Sequence, residues 1–296
     1  MKLEHIRGSI PPIVTPFRGD AVDLDTYARL IERQVVEGSH GVLVNGTTAE
    51  PSTLTLEERM QLLDTAIKVT KKRIPVVAAT GSQNLAETIT LSDHATRAGA
   101  DALLIVTPYY VRPPQRGLAA YYIELCRRTD LPVMIYHIPG RTAINVTLET
   151  VAQIRDKVPN MIGIKHAVND LGFCSELIAR FGDDFRIFVG LEELSFPMMA
   201  VGACGLMNAV SNLVPRRVAE LAERVLANDL KGARKIHDEL LELNKSVFFD
   251  TNPIPIKYMM KRMGILPENS HRLPMVPATP ELEKRLDVVL ADAGLI

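Results

Sequence analysis

The chain has 296 residues, with 34 basic and 35 acidic side chains and a formal net charge of −1. With no long basic run, nothing suggests electrostatic capture of nucleic acid, and no apolar stretch approaches the roughly 18 residues of a membrane span. Three scattered cysteines, Cys126, Cys174 and Cys204, form no CxxC pair, and the opening MKLEHIRGSIPP lacks an apolar signal core, so the chain reads as a reduced, cytoplasmic protein.

Short apolar runs of strand length recur along the chain. In order they are SIPPIV (9–14), GVLVNGT (41–47), PVVAATG (75–81), ALLIVTP (102–108), PVMIYHIP (132–139), MIGIKHA (161–167), FRIFVG (185–190) and GLMNAV (205–210). Most are rich in Val, Ile or Leu and end at Gly, Pro, Thr or Asn. Their apolarity is continuous rather than alternating, which suits parallel strands covered on both faces. Helical patterns fill the gaps. Asp23, Thr147 and Pro215 mark helix starts, as do Thr55-Leu-Glu-Glu58 and Asn84-Leu-Ala-Glu87, both of capping-box form. Eight strands alternating with helices predict an α/β fold, a (β/α)8 TIM barrel, over residues 1–228. The rival, a doubly wound open sheet, expects a glycine-rich phosphate loop after the first strand, and SIPPIVTPF has none. Beyond 228 the strand pattern stops, and 229–296 reads as a C-terminal helical extension packed on the barrel.

In such barrels catalytic groups sit at the C-terminal ends of strands. Here those ends carry Asn45-Gly-Thr47-Thr48-Ala-Glu50, Thr107-Pro-Tyr109-Tyr110, Tyr136-His137 with Arg141 beyond, Lys165-His166, and Gly190-Leu-Glu192. A lysine inside an apolar strand is costly unless it is paired or neutral, and a neutral amine can attack a ketone to form a Schiff base. If Lys165 points into the barrel, strand alternation sends Gly163 inward, leaving room beneath the lysine, and sends Ile164 and His166 outward. Tyr136, on the neighbouring strand, is the natural acid/base. Thr47 and Thr48 offer hydroxyls and N–H groups for a carboxylate, and Arg141 offers a bidentate fork for a second one. Gly190 and Met207, on the seventh and eighth runs, complete the candidate substrate-binding residues. His137 and His166 tempt as a metal pair, but outward parity and the lack of a third ligand argue against a metal. Glu50 reads as a helix-start carboxylate, and Glu87 as the capping-box partner of Asn84.

GTTAE, TPYY, YHIPGRT, GIKHA and NPIPIK, in this order and spacing, resemble the dihydrodipicolinate synthase / N-acetylneuraminate lyase family of pyruvate-dependent Schiff-base aldolases on a (β/α)8 barrel. The likeness covers nearly the whole chain. It implies that Lys165 carries the Schiff base with no separate cofactor, and that Tyr136 relays protons. It further implies that Thr48 bridges Tyr136 to Tyr110, with Tyr110 contributed across a dimer interface of a homotetramer built as a dimer of dimers. Thr47 and Thr48 would bind the pyruvate carboxylate, and Arg141 that of a small carboxylated aldehyde.

Three departures from the family pattern bear on the substrate. Ala49 stands for a glycine, His166 for a glutamate, and Leu191 for an aspartate that lies near the amino group of aspartate semialdehyde. Leu191 cannot pair with an ammonium, so the sequence favours an aldehyde without one, such as succinate semialdehyde, in a 2,4-dihydroxyhept-2-ene-1,7-dioate (4-hydroxy-2-oxoheptanedioate) aldolase. The alternatives are condensation with aspartate semialdehyde, aided by Asn252 and with Glu192 replacing the missing acid, a keto-deoxy sugar acid aldolase or dehydratase, and a silent keto-acid-binding barrel. Glu87 and Tyr109 match the family's lysine-inhibitor site. Pro51 and Leu56 depart from it, so strong inhibition by lysine is not expected.

Overall fold

The computed structural model describes residues 4–296, so the first three residues of the expected barrel span lie outside the described part. Eight parallel strands form one sheet: β1 (Gly8–Ser9), β2 (Val42–Val44), β3 (Val76–Ala79), β4 (Ala102–Val106), β5 (Val133–His137), β6 (Met161–His166), β7 (Arg186–Val189) and β8 (Gly205–Leu206). From β2 to β8 each strand pairs with its neighbours in chain order, and β1 pairs with β8. The sheet closes where Pro12 bridges Leu43, with Leu43 N donating to Pro11 O at 2.8 Å and Ile13 N to Leu43 O at 3.0 Å. The first strand is shorter than the apolar run because Pro11 and Pro12 have no N–H to continue the ladder. Asn212 Nδ2 donates to Pro12 O across the same seam.

Helices follow the strands in turn, from Leu24–Val36 to Pro215–Leu226. The capping box at Thr55 and Glu58 forms as the sequence predicts. That at Asn84 does not close. Asn84 caps its helix through Ala86 N and Glu87 N, but the Glu87 carboxylate accepts from Ser82 Oγ at 2.8 Å instead. After Pro215–Leu226 come the helices Leu230–Glu239, Leu241–Ser246, Ile254–Arg262 and Pro280–Asp292. No helix among the described residues is long and apolar enough to cross a membrane.

The sheet separates two apolar layers. Outside it, Val42, Val44, Val76, Ile105, Val133, Ile135, Met161, Ile164, Ile187 and Val189 pack against the helices. Inside it, Leu43, Val77, Leu104, Met134, Tyr136, Ile162 and Phe188 fill the barrel. Strict alternation from Met161, which faces out, would turn Lys165 outward as well. A bulge intervenes: Val133 pairs with Met161 and Met134 with Gly163, leaving Ile162 as the extra residue. From Gly163 onward the parity is reversed, so Ile164 faces out and Lys165 faces in.

The glycine therefore has a different role from the one its position in the sequence suggests. Ile162 joins the inner layer at that level, and what Gly163 makes room for is backbone. A Cβ on Gly163 would lie 2.0 Å from Arg186 O on the neighbouring strand. The Gly163→Ala variant should lose about 3 kcal/mol of stability, because the obstacle is backbone that cannot swing aside. Gly140→Ala, which meets nothing within 4 Å, should stay within about 1 kcal/mol of the parent. Urea unfolding midpoints of the two variants check this.

Candidate active site

Tyr136 on β5 and Lys165 on β6 are direct register partners, and both point into the barrel at its C-terminal end. Lys165 is 3 % exposed. Its Nζ sits 4.4 Å from the centre of the Tyr136 ring and makes no hydrogen bond or ion pair with any described residue. The π-face supports a cation without tying the amine to a carboxylate, so the lone pair of the neutral form stays available. On the far side, Gly190 leaves the lysine arm its room: a Cβ there would lie 3.1 Å from Lys165 Cε and 2.8 Å from the Ala167 methyl. Met207, fully buried at the end of β8, belongs to the same inner layer.

The loop after β2 brings up the threonines. Following Gly46 the chain makes one 3-10 turn, Thr47–Ala49. Successive residues of such a turn point about 120° apart, so the two hydroxyls diverge. Thr47 Oγ1 lies 3.2 Å from the Tyr136 hydroxyl, whereas Thr48 Oγ1 accepts from Asn252 Nδ2 at 3.0 Å. The contact with Tyr136 expected of Thr48 thus falls to Thr47. Tyr110 does not enter its own chain's site. It is 87 % exposed, with φ of 70°.

Asn252 links the site to the C-terminal helices. Besides its amide bond to Thr48, its carbonyl accepts from Arg141 Nη2 at 3.2 Å, while its own Oδ1 is buried without a partner. Arg141 stands on the short helix Pro139–Thr142 directly after β5. Five residues past Asn252, Lys257 is wholly buried and donates to Glu50 Oε1 at 2.8 Å and to Ser270 O. His271 Nδ1 donates to the other Glu50 oxygen at 3.3 Å. Glu50 does precede a helical turn, the 3-10 turn Pro51–Thr53, but its carboxylate makes no cap hydrogen bond there. Glu50 sits in left-handed conformation at the end of the turn Thr47–Ala49 and fixes that turn to the C-terminal segment. Lys257 joins the site's frame from the helix Ile254–Arg262, away from any strand end. Its signal was the final residue of NPIPIK, a charge placed among apolar helix positions.

Beyond Gly190, Leu191 packs against the inner layer. The Glu192 carboxylate is buried and accepts from Ala209 N at 2.6 Å, with Oε2 unpartnered. Burial pushes its carboxyl up to about 7, against the pull of the Ala209 N–H and the charge of Lys165. No group of three or more His, Cys, Asp or Glu among the described residues is placed to hold a metal ion.

Residues 5–293 match the model of the dihydrodipicolinate synthetase family. A 4-hydroxy-tetrahydrodipicolinate synthase of Thermus thermophilus is 45% identical over 291 residues, 98% of this chain and 97% of the other. One from Syntrophobacter fumaroxidans is 39% identical over 290 residues, covering 98% and 99%. Among solved structures, dihydrodipicolinate synthase from Aquifex aeolicus superposes with a TM-score of 0.96 at 37% identity, covering 98% of each chain.

Two substitution pairs test this geometry. Thr47→Val should lower kcat at least tenfold by removing the hydroxyl on Tyr136. Thr48→Val should act less on kcat and more on KM, raising that of the keto acid directly and that of the second substrate through Asn252. Steady-state kinetics with both substrates varied separates them. Lys257→Met should cost about 3–5 kcal/mol by stranding the buried Glu50 carboxylate, and adding Glu50→Gln should recover much of that loss in chemical denaturation.

Proposed function

The chain belongs to the dihydrodipicolinate synthetase family of pyruvate-dependent class I lyases, and we propose that within it the chain condenses pyruvate with aspartate semialdehyde, as a 4-hydroxy-tetrahydrodipicolinate synthase. The Lys165 amine attacks the keto carbon of pyruvate, water leaves, and an imine forms. Loss of a proton from the methyl carbon gives the enamine, whose carbon attacks the aldehyde. Tyr136, hydrogen-bonded to Thr47, moves the protons. The amino group of the condensed partner can then add to the imine carbon and displace Lys165, which closes a ring and frees the enzyme. Thr47 and Thr48 hold the pyruvate carboxylate, Gly190 and Met207 shape its pocket, and Arg141 takes the carboxylate of the aldehyde.

One observation favours this aldehyde over succinate semialdehyde, the choice that Leu191 suggests. Asn252 Oδ1 is a buried acceptor with no partner, on the same residue whose carbonyl holds Arg141. An aldehyde bearing both a carboxylate and an ammonium can engage Arg141 and Asn252 together. Succinate semialdehyde has no donor for Asn252 Oδ1, and a buried unsatisfied carbonyl costs about 1–3 kcal/mol. The relatives carry the synthase name as well. Glu192 accepts from Ala209 N through Oε1 and leaves Oε2 buried without a partner, a second acceptor that the ammonium can use. The exposed Tyr110 and its neighbour Val111 offer a face to a second copy of the chain, in keeping with a homotetramer built as a dimer of dimers, in which the two protomers of a dimer complete each other's sites.

Incubation with pyruvate and borohydride should add one pyruvate-derived group, at Lys165. An unmodified lysine would leave only a keto-acid-binding barrel. With pyruvate saturating, kcat/KM for aspartate semialdehyde should exceed that for succinate semialdehyde by at least about tenfold, which corresponds to about 1.4 kcal/mol in the transition state. The reverse preference would restore the heptanedioate aldolase reading.

A further inference from the structure

Immediately after Tyr136 and Lys165, the chain places His137 and His166 opposite each other on the outer face of β5 and β6. Both are buried, under the ring of Phe173 at centroid distances of 5.8 and 5.3 Å. Three contacts join them into a line. Val146 N donates to His137 Nε2 at 3.3 Å, His137 Nδ1 lies 3.2 Å from His166 Nδ1, and His166 Nε2 lies 3.2 Å from Asp170 O. One end of the line is a fixed donor, a backbone N–H. The other is a fixed acceptor, a backbone carbonyl. Between such ends, one proton per ring satisfies all three contacts, and any second proton breaks at least one.

We infer that His137 and His166 form a neutral relay of fixed tautomers that positions the aldehyde-binding turn against the catalytic strands. His137 carries its proton on Nδ1 and donates to His166, which carries its proton on Nε2 and donates to Asp170 O. Val146 lies in the segment that runs from the Arg141 helix, Pro139–Thr142, to the Thr147 cap, and Asp170 caps the helix Leu171–Phe181. The relay therefore fastens the loop after β5 to the loop after β6, directly behind the two residues that face the reaction. Burial, reinforced by the neighbouring imidazole, pushes His137 down to about 4, and burial lowers His166, in line with two uncharged rings. The groups facing them are the Asn145 side chain, the Asp170 carboxylate that caps Phe173 N, and Glu149 and Glu176 at the rim of the cleft above. His137 and His166 are positioning residues and touch no substrate. The consequence for the aldehyde rests on the reading that Arg141 binds its carboxylate.

Magic-angle-spinning 15N NMR of the histidine-labelled protein at pH 7.5, with His137→Asn and His166→Gln for assignment, reads the tautomers directly. The expected result is a protonated Nδ1 on His137 and a protonated Nε2 on His166. A proton on His137 Nε2, where Asn145 could take it, or a cationic ring, would overturn the relay. In kinetics, His137→Leu should raise the KM of the aldehyde about tenfold while the KM of pyruvate and the borohydride trapping rate stay within about twofold. His166→Gln, which still offers His137 an acceptor, should remain within about threefold of the parent in aldehyde KM. Equal movement of both KM values in His137→Leu refutes the positioning role. Failure of wild-type trapping would instead sink the Schiff-base reading, and the tautomers would still decide the relay.

Discussion

A single extra residue in β6 sets the site. Because side chains on a strand alternate, a one-residue shift exchanges the inner and outer faces of everything beyond it. Ile162 supplies that shift. Met161 before it packs outward with Val133, and Lys165 after it packs inward beside Tyr136. The bulge is possible because Gly163 lets β6 approach Arg186 O more closely than any side chain would allow. Gly190 then spares the lysine arm on its other side. The two glycines thus act in sequence: one turns the lysine into the barrel, and the other keeps the space around it open.

A second set of contacts holds the mouth. Thr48, Arg141 and Asn252 come from three distant parts of the chain and meet at one asparagine. Behind them lies the fully buried pair of Glu50 and Lys257, with His271 and Ser270 O completing the hydrogen bonds. A buried ion pair contributes little net stability compared with apolar residues of the same shape, but a broken one is expensive. Its effect is to tie the 3-10 turn of Thr47–Ala49 to the C-terminal segment. The helices after the barrel are therefore part of the site's frame.

The strand-helix alternation was legible because burial on both faces leaves continuous apolar runs, and the helix starts because caps are local. Asp23, Thr55 and Thr147 each cap the helix they precede. The box at Asn84 stays open because closing it depends on where a flexible carboxylate turns: Glu87 accepts from Ser82 Oγ, and Ser82 Oγ takes the Asn84 N–H. The interchange of Thr47 and Thr48 has the same kind of cause: adjacent hydroxyls are equivalent in a sequence and become distinct only on a turn of known pitch. Glu50 and Lys257 are 207 residues apart, and nothing in either neighbourhood announces the other.

The sequence by itself determined the barrel, the order of its strands, and the convergence of a lysine, a tyrosine, threonines and an arginine at one end, because these follow from local periodicity and from the rule that strand ends meet. The tertiary structure alone decided which way Lys165 points, which threonine reaches Tyr136, how Asn252 gathers the mouth, and that His137 and His166 meet behind the site. Those outcomes depend on a bulge, a helical pitch and hydrogen bonds between remote segments. Each is settled by distances of a few ångströms that spacing along the chain does not contain.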